Sequence, residues 1–208
     1  MKLLKILIGV FVLLCIGINP ISACIIINEA MIDPTRVYDT YGEWLELYNT
    51  GDSDIDINGW IIKDADLDYH QIDNGGSLVI SAKGYLVLGR NGDPSQNGGY
   101  IPDYVYDSFQ LANTEDEILL LTSGESGVSE IDYNDSSWPI YPGRSMAYSG
   151  SGDINNPANW FATPEESVYV YGDGDYGTPG AANVIPEPAT IILLTNGLLS
   201  YFFLRKNK

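Results

Sequence analysis

The chain has 208 residues, with 28 Asp and Glu against 10 Lys and Arg, and a net charge of −18. Because such an acidic chain repels phosphate backbones, its composition excludes nucleic acid as the main partner. Four Trp, 15 Tyr and an apolar fraction of 45 % supply enough core for one packed domain, which excludes a disordered acidic tail.

The negative charge is concentrated away from the two ends. All 28 acids lie between Glu29 and Glu187, whereas five of the 10 bases lie in the first five and the last four residues. The segment between the ends therefore carries a net charge near −23. Once Cys15 is removed with the N-terminal segment, Cys24 is the one cysteine left, so no internal disulfide can form.

The first residues are typical of a secretory signal peptide. Lys2 and Lys5 precede a long apolar run, and small residues at positions 21–23 offer a cleavage site. We expect residues 1–23 to be this signal. The same site also resembles a lipobox, in which Cys24 would become lipidated, and the sequence leaves both routes open.

Short β-prone segments separated by Gly, Asn, Asp and Ser predict an all-β sandwich or barrel over residues 24–184. The predicted strands are residues 25–31, 43–48, 55–63, 78–80, 85–88, 117–122 and 128–133. The last two of these form a predicted hairpin, and Asn58-Gly59 predicts a bulge or tight bend inside the third.

The remaining mature segments are predicted to be irregular. Residues 91–99 and 149–157 are rich in Gly, Asp and Asn and predict loops, with a single helical turn within residues 153–160. Residues 172–190 are rich in Gly and Pro and predict a linker to the C-terminal tail. No mature segment has the sustained periodicity of a helix.

The C-terminal residues 185–208 combine three features in a fixed order. Pro186, Glu187 and Pro188 are followed by the apolar run 191–204 and then by a basic end. Fourteen apolar residues are few for a membrane span, which needs about 20, although the basic end fits a cytoplasmic terminus. The cluster resembles the PEP-CTERM sorting signal of Gram-negative bacteria, which implies an exosortase-type protease and a membrane segment that is transient or retained.

A second resemblance covers nearly all of residues 25–183. Its motifs are Ile26-Ile27-Asn28-Glu29-Ala30, Glu43-Trp44-Leu45-Glu46-Leu47-Tyr48-Asn49, Ile57-Asn58-Gly59-Trp60, Lys83-Gly84-Tyr85-Leu86-Val87-Leu88, Asp116-Glu117-Ile118-Leu119-Leu120-Leu121, Gly143-Arg144-Ser145, Asn159-Trp160 and Gly177-Thr178-Pro179-Gly180-Ala181-Ala182-Asn183. In this order they resemble the bacterial lamin-tail domain. The resemblance implies an immunoglobulin-like β-sandwich and supplies no catalytic residues.

Two acids lie on strands that are otherwise apolar. Glu29 alternates with Ile25, Ile27 and Met31 and is predicted to share their face. Glu46 alternates with Trp44 and Tyr48. Such acids are costly unless they are paired or bind a metal. We expect each to cap the backbone of a neighbouring strand or to pair with Arg36, Lys63 or Arg144. A calcium site and the paired carboxylates of a glycan hydrolase remain alternatives.

A second candidate for Ca²⁺ is the acidic run at residues 64–68. Asp64, Asp66 and Asp68 alternate as the ligands of calcium loops do, although the glycine and terminal glutamate of an EF-hand are absent. Asp173 and Asp175 form a weaker pair of the same kind. We expect no cofactor otherwise, and the alternative to a calcium site is a solvated acidic loop.

Aromatic residues offer a candidate ligand surface. Tyr100, Tyr104 and Tyr106 lie in a loop-like region and are predicted to be exposed and able to contact a ligand. His70 is the one histidine, and without a Gly-x-Ser-x-Gly elbow we expect it to be exposed or packed.

Together these features predict an exported, surface-associated and non-enzymatic module of the envelope or exopolysaccharide matrix. Its expected partners are the export machinery, an exosortase-like protease, and exopolysaccharide or other envelope proteins. A small glycan hydrolase and a calcium-dependent binder are the alternatives.

Overall fold

β-branched and aromatic residues are frequent in the strands of the computed structural model, which describes residues 25–185. The strands are Ile25–Met31 (β1), Trp44–Asn49 (β2), Ile55–Asp56 (β3), Ile61–Lys63 (β4), Tyr69–Gln71 (β5), Val79–Ile80 (β6), Tyr85–Gly89 (β7), Tyr104–Val105 (β8), Asp116–Leu121 (β9), Gly127–Tyr133 (β10), Met146–Tyr148 (β11), Trp160–Ala162 (β12), Val170–Tyr171 (β13) and Asp175–Tyr176 (β14). A four-residue helix, Asp39–Gly42 (α1), and the 3₁₀ turns Pro157–Asn159 and Ser167–Tyr169 complete the described elements.

Two sheets organise the described chain. The six-stranded sheet has the order β12–β11–β1–β2–β7–β8, and the four-stranded sheet has the order β10–β9–β4–β5. Neighbouring strands in both sheets run antiparallel, except that β7 and β8 are parallel. Two short pairs, β3–β6 and β13–β14, lie outside them. The arrangement is a β-sandwich, as the sequence predicts.

The main core fills the space between the two sheets. Its central aliphatic side chains are Ile25, Ile27, Leu45, Leu47, Leu86 and Leu88 from the six-stranded sheet, and Ile62, Ile118, Leu120 and Ile131 from the four-stranded sheet. Trp138 and Trp160 also belong to this core, with ring centroids 5.9 Å apart. Burial of these apolar side chains is the main term that stabilises the sandwich.

A bulge in β1 decides which side chains face the core. The register between β1 and β2 shifts between Ile27 and Glu29. Ile25 and Ile27 pack in the main core, whereas Met31 packs with Trp44 on the outer face of the same sheet. The predicted common face for Ile25, Ile27, Glu29 and Met31 is therefore wrong, because one extra residue reverses the alternation.

The outer face of the six-stranded sheet carries a second, smaller core. It consists of Met31, Trp44, Val87 and Tyr100, with Tyr171 packed against them. The ring centroid of Trp44 lies 6.1 Å from that of Tyr100 and 6.0 Å from that of Tyr171, and its Nε1 donates to the Tyr171 hydroxyl at 3.2 Å. The chain around Tyr171 thus covers strands that are already buried on their inner side.

Two predicted segments differ from the structure. Residues 55–63 are not one strand: the turn at Asn58-Gly59 separates β3 from β4, which belong to different sheets. Residues 172–183 are not a free linker, because they contain β14 and continue along the outer face of the six-stranded sheet. The predicted β9–β10 hairpin and the helical turn within residues 153–160 are confirmed.

Within residues 25–185 no helix is long and apolar enough to cross a bilayer. The predicted signal peptide at 1–23, Cys24, the Pro186-Glu187-Pro188 motif and the apolar run 191–204 lie outside the described residues.

Alanine substitutions of Trp44 and Trp60 should differ in their effect on the free energy of unfolding. Trp44→Ala should lower the free energy of unfolding by about 3–5 kcal/mol, because it removes the centre of the outer core. Trp60→Ala should cost less, because Trp60 is only partly buried against the main core. Urea denaturation of both variants measures the difference, and equal losses would contradict the outer core.

Candidate functional site

Two glutamates lie side by side beneath the outer surface of the six-stranded sheet. Glu29 on β1 and Glu46 on β2 are directly opposite each other in the strand register. Both are completely buried. The outer face therefore contains, next to its apolar core, a pair of neighbouring carboxyl groups removed from water.

Glu29 is surrounded by neutral hydrogen-bond donors. The Thr178 backbone N–H donates to its Oε1 at 2.9 Å, and the Thr178 hydroxyl donates to its Oε2 at 2.7 Å. The hydroxyl of Ser145, which precedes β11, donates to Oε1, and that of Thr163 lies 3.4 Å from the same oxygen. These groups come from three separate parts of the chain and converge on one carboxyl group.

Glu46 holds the next turn of the same C-terminal segment. Its Oε2 accepts the Gly180 backbone N–H at 2.6 Å, and its Oε1 accepts the Asn28 side-chain amide at 2.6 Å. Asn183 then donates to the backbone carbonyls of Asn28 and Tyr148, both at 2.9 Å. We call residues 178–183 the C-terminal strap, because these contacts fasten them across β11, β1 and β2.

Gly177 and Gly180 allow the strap region to lie close against the six-stranded sheet. A Cβ at Gly177 would lie 3.0 Å from the Trp44 ring and 3.1 Å from the Ser145 hydroxyl, so a side chain there would crowd the outer core. Gly180 has a φ of +84°, a backbone conformation that residues with a side chain rarely adopt. Its N–H points at Glu46 as a result of this turn.

No lysine or arginine of the described residues forms an ion pair with either glutamate. Burial, followed by the neighbouring Glu29 carboxylate, raises the pKa of Glu46 to about 8, although hydrogen bonds from Asn28 and Gly180 act to lower it. Burial also raises the pKa of Glu29. The expected pairing with Arg36, Lys63 or Arg144 is wrong. The expected backbone capping is found, but the captured N–H groups of Thr178 and Gly180 belong to an irregular segment and not to a neighbouring strand.

The arrangement is suited to holding the chain and not to holding a substrate. Both oxygens of each glutamate already accept a hydrogen bond from Thr178, Gly180 or Asn28. A hydrolase acid needs an open face toward its substrate, which these oxygens lack. Among residues 25–185 no three His, Cys, Asp or Glu side chains come together as a metal site.

The acidic loop at residues 64–68 lies apart from the glutamate pair. Asp64 Oδ1 accepts the backbone N–H groups of Asp66 and Asp68, each at 2.9 Å, and Asp68 Oδ2 accepts that of Gln110 at 2.9 Å. Asp64 and Asp68 thus shape the turn between β4 and β5, while Asp66 is exposed. The proposed role of these residues in binding Ca²⁺ stays a prediction.

The three tyrosines do not form an exposed surface. Tyr100 and Tyr106 are only 2 % and 1 % exposed, and Tyr104 is partly buried, so the predicted ligand surface is wrong. Tyr100 belongs to the outer core, where its hydroxyl donates to the Glu43 carbonyl at 3.0 Å. Tyr106 packs edge-on against Phe109 in the main core. A loop-like position in the sequence did not predict exposure here, because the side chains of Tyr100 and Tyr106 fill the interior.

His70 is a buried connection between the two sheets. Its Nδ1 lies 2.9 Å from Asp107 Oδ1, and its Nε2 lies 2.9 Å from the Tyr104 hydroxyl. That hydroxyl also accepts the Asp73 backbone N–H at 3.0 Å. Because both ring nitrogens are engaged, His70 joins β5 of one sheet to β8 of the other and is not placed as a free catalytic base.

The sequence did not predict that two further acids, Glu43 and Asp175, are buried and hold the fold. Glu43 forms an ion pair with Arg90 at 3.1 Å, and burial raises its pKa to about 7. Asp175 accepts the Thr35 hydroxyl at 2.6 Å and the Thr35 and Arg36 backbone N–H groups at 3.1 and 3.3 Å. The one sequence signal for the burial of Glu43 was its position directly before Trp44, at the start of a predicted strand. No local pattern links Asp175 to Thr35.

Comparison with protein families gives one match, to the Lamin Tail Domain model, over residues 21–135. That match covers more than half of the chain. The chain belongs to the lamin tail domain family. A comparison with curated proteins gave no match. The family supports the immunoglobulin-like sandwich and indicates a non-enzymatic module.

The matched region is shorter than the folded unit of this lamin tail domain. The strands β11 and β12 and the C-terminal strap all follow residue 135. β11 pairs directly with β1, and the strap covers β1 and β2. The six-stranded sheet is therefore complete only with the later residues.

The glutamate pair makes a specific pH dependence expected. The pKa of Glu46 is about 8 in the folded domain against an ordinary 4.5, so between these values the folded state holds a proton that the unfolded chain loses. This stabilisation is fully present below about pH 4.5 and is lost as the pH rises through 8. Chemical denaturation between pH 5 and 9 should show stability falling with rising pH.

A matched pair of variants isolates the contribution of Glu46. Glu46→Gln cannot titrate and should make the slope shallower by about 1.4 kcal/mol per pH unit, whatever its overall stability. Glu130→Gln, an exposed change on β10, should keep the wild-type slope. A wild-type slope in Glu46→Gln would show that this carboxyl group does not retain its proton.

Proposed function

We propose that this lamin tail domain is an exported, non-enzymatic module that acts at the surface or in the extracellular matrix of a Gram-negative bacterium. Its role there is structural or adhesive. The observation that carries the proposal is the use of the buried polar groups: the glutamate pair, His70 and Asp175 all hold the sandwich together. A domain built in this way uses these buried groups for its own stability and leaves its surface for a partner.

The non-enzymatic part of the proposal is supported by the family and by these contacts. Glu29 and Glu46 are buried neighbours in the strand register, and the C-terminal strap occupies their hydrogen-bonding sites. A hydrolase would need one carboxylic acid and one carboxylate on the two sides of an open cleft. This pair lies under a covering segment.

Export is supported by residues at both ends of the sequence. Lys2 and Lys5 before an apolar run are typical of a signal peptide. Pro186, Glu187 and Pro188, followed by an apolar run and a basic end, resemble a sorting signal. The strap ends at residue 183, so this motif begins three residues after the last contact that fastens the domain. The proposed partners are the export machinery, an exosortase-type protease and exopolysaccharide.

Processing tests the exported state. Intact-mass measurement of the protein from its native cells should show removal of residues 1–23, and either loss of the chain after Pro188 or recovery of that segment in the membrane fraction. Changing Pro186, Glu187 and Pro188 together to alanine should abolish the C-terminal event, whereas Glu166→Ala should not. A soluble cytoplasmic protein with Met1 and Lys208 intact would refute export.

Turnover assays test the non-enzymatic part separately. The purified protein should release no product from polysaccharides, peptides or nucleic acids under conditions where known hydrolases do. Any turnover that is seen should be unaffected by Glu29→Gln or Glu46→Gln, which would assign it to a contaminating enzyme. Turnover that one of these changes abolishes, with the melting temperature unchanged, would make the glycan hydrolase the better assignment.

A further inference from the structure

An open groove is lined by surface-loop residues and shares none of its lining with the glutamate pair or the strap. It has a volume of about 420 Å³ and is lined by Thr35, Arg36, Val37, Tyr38, Tyr41 and Gln96. The first five belong to the connection between β1 and β2, and Gln96 belongs to the loop that follows β7. We call it the Tyr38 groove.

The aromatic residues of this groove are exposed. Tyr38 is 81 % exposed and Tyr41 is 43 % exposed, in a domain where Tyr100, Tyr106 and Trp44 are buried. The core of the domain does not use these two rings. Large aromatic side chains left in solvent next to each other are a common feature of binding surfaces, because a rigid ring gives contact area at little entropic cost.

Arg36 adds an available hydrogen-bond donor to the same groove. Lys83, Arg90 and Arg144 each form an ion pair, but no carboxylate of the described residues lies within ion-pair distance of Arg36. Its guanidinium group lies over Gly174, where a Cβ would come within 3.1 Å of Nη2. In a domain near −23 in net charge, an exposed and unpaired arginine is conspicuous.

Buried polar side chains hold both walls of the groove in place. Asp175 is 2 % exposed and fixes the wall that carries Arg36 by accepting the backbone N–H groups of Thr35 and Arg36. Asn97 is 1 % exposed and fixes the other wall by donating to the carbonyls of Asn91 and Tyr100, at 2.7 and 3.0 Å. A groove with preset walls loses little entropy when a ligand binds.

The chemistry of the groove selects an uncharged polysaccharide. Sugar rings have an apolar C–H face that packs on tyrosine and a rim of hydroxyl groups that accept from guanidinium and amide donors. Asp39 and Asp93 lie beside the groove, since Asp39 belongs to α1 and Asp93 accepts the Gln96 amide at 2.7 Å. These carboxylates and the acidity of the whole domain oppose an anionic polymer.

We propose that the Tyr38 groove binds a neutral polysaccharide, with Tyr38 and Tyr41 stacking on sugar rings and Arg36 and Gln96 contacting their hydroxyl groups. This proposal rests on the proposed function and deepens it, because it names the chemical class to which the surface module would adhere. The groove uses none of the residues that hold the strap, so binding and closure of the sandwich are separable.

Affinity electrophoresis tests the proposal with the purified protein. Its mobility should fall in gels that contain a neutral glucan or a neutral galactomannan and should not fall in gels that contain polygalacturonate. Tyr38→Ala and Arg36→Gln should each weaken the retardation constant at least tenfold without changing the melting temperature. Tyr69→Ala is the matched control, because Tyr69 is 47 % exposed on β5 and does not line the groove.

Three outcomes would overturn the groove assignment: no retardation in either neutral gel, stronger retardation in polygalacturonate, or retardation that Tyr38→Ala leaves unchanged. Self-association in sedimentation that Tyr38→Ala abolishes would assign the groove to a second copy of the chain instead. The processing assay separates this proposal from the proposed function. A processed, exported protein without retardation refutes only the groove, and a retarded protein that is cytoplasmic refutes only export.

Discussion

The burial of two neighbouring carboxyl groups without a cation is the constraint on which the outer half of this lamin tail domain depends. Removing Glu29 and Glu46 from water is costly, and their mutual repulsion adds to that cost. Neutral donors from the C-terminal strap and from Ser145 offset it. If the strap left, the pair would lose those donors and would have to take up water. The strap and the two central strands therefore stabilise one another.

The strap also explains why the central strands are buried on both faces. β1 and β2 lie in the middle of the six-stranded sheet, with the main core on one side and the outer core on the other. The outer core ends where the glutamate pair begins, since Trp44 and Glu46 point to the same face of β2. Gly177 contacts Trp44 immediately before Thr178 contacts Glu29. Residues 177–180 thus cover both the apolar outer core and the glutamate pair.

The period of the sequence predicted the longer strands because each depends on its own residues, and β1, β2, β7, β9 and β10 were found within a residue or two. The strands β5, β8, β11, β12, β13 and β14 were not predicted, because two or three residues are too few to show a period. The site was less predictable because it depends on contacts between distant residues. Thr178 and Glu29 are 149 positions apart, and the bulge at residues 28–29 reverses a face that simple alternation assigns. The acidic character of Glu29 and Glu46 was visible in the sequence, and so was the Gly-Thr-Pro-Gly segment. Their pairing was not, because no local pattern records which loop covers which strand.

The same buried-acid chemistry supports the loop that carries the Tyr38 groove, with a different consequence. Asp175 follows the outer core along the chain and holds the loop of Thr35 and Arg36, just as Glu29 and Glu46 hold the strap. In the strap the captured backbone covers the sheet, whereas at Asp175 the captured backbone directs Arg36 and Tyr38 into solvent. A rigid sandwich that fixes its surface loops from beneath can vary the exposed side chains without disturbing its core. Because Glu29, Glu46 and Asp175 are buried and bonded to backbone N–H groups, they stabilise the fold without taking part in its surface chemistry.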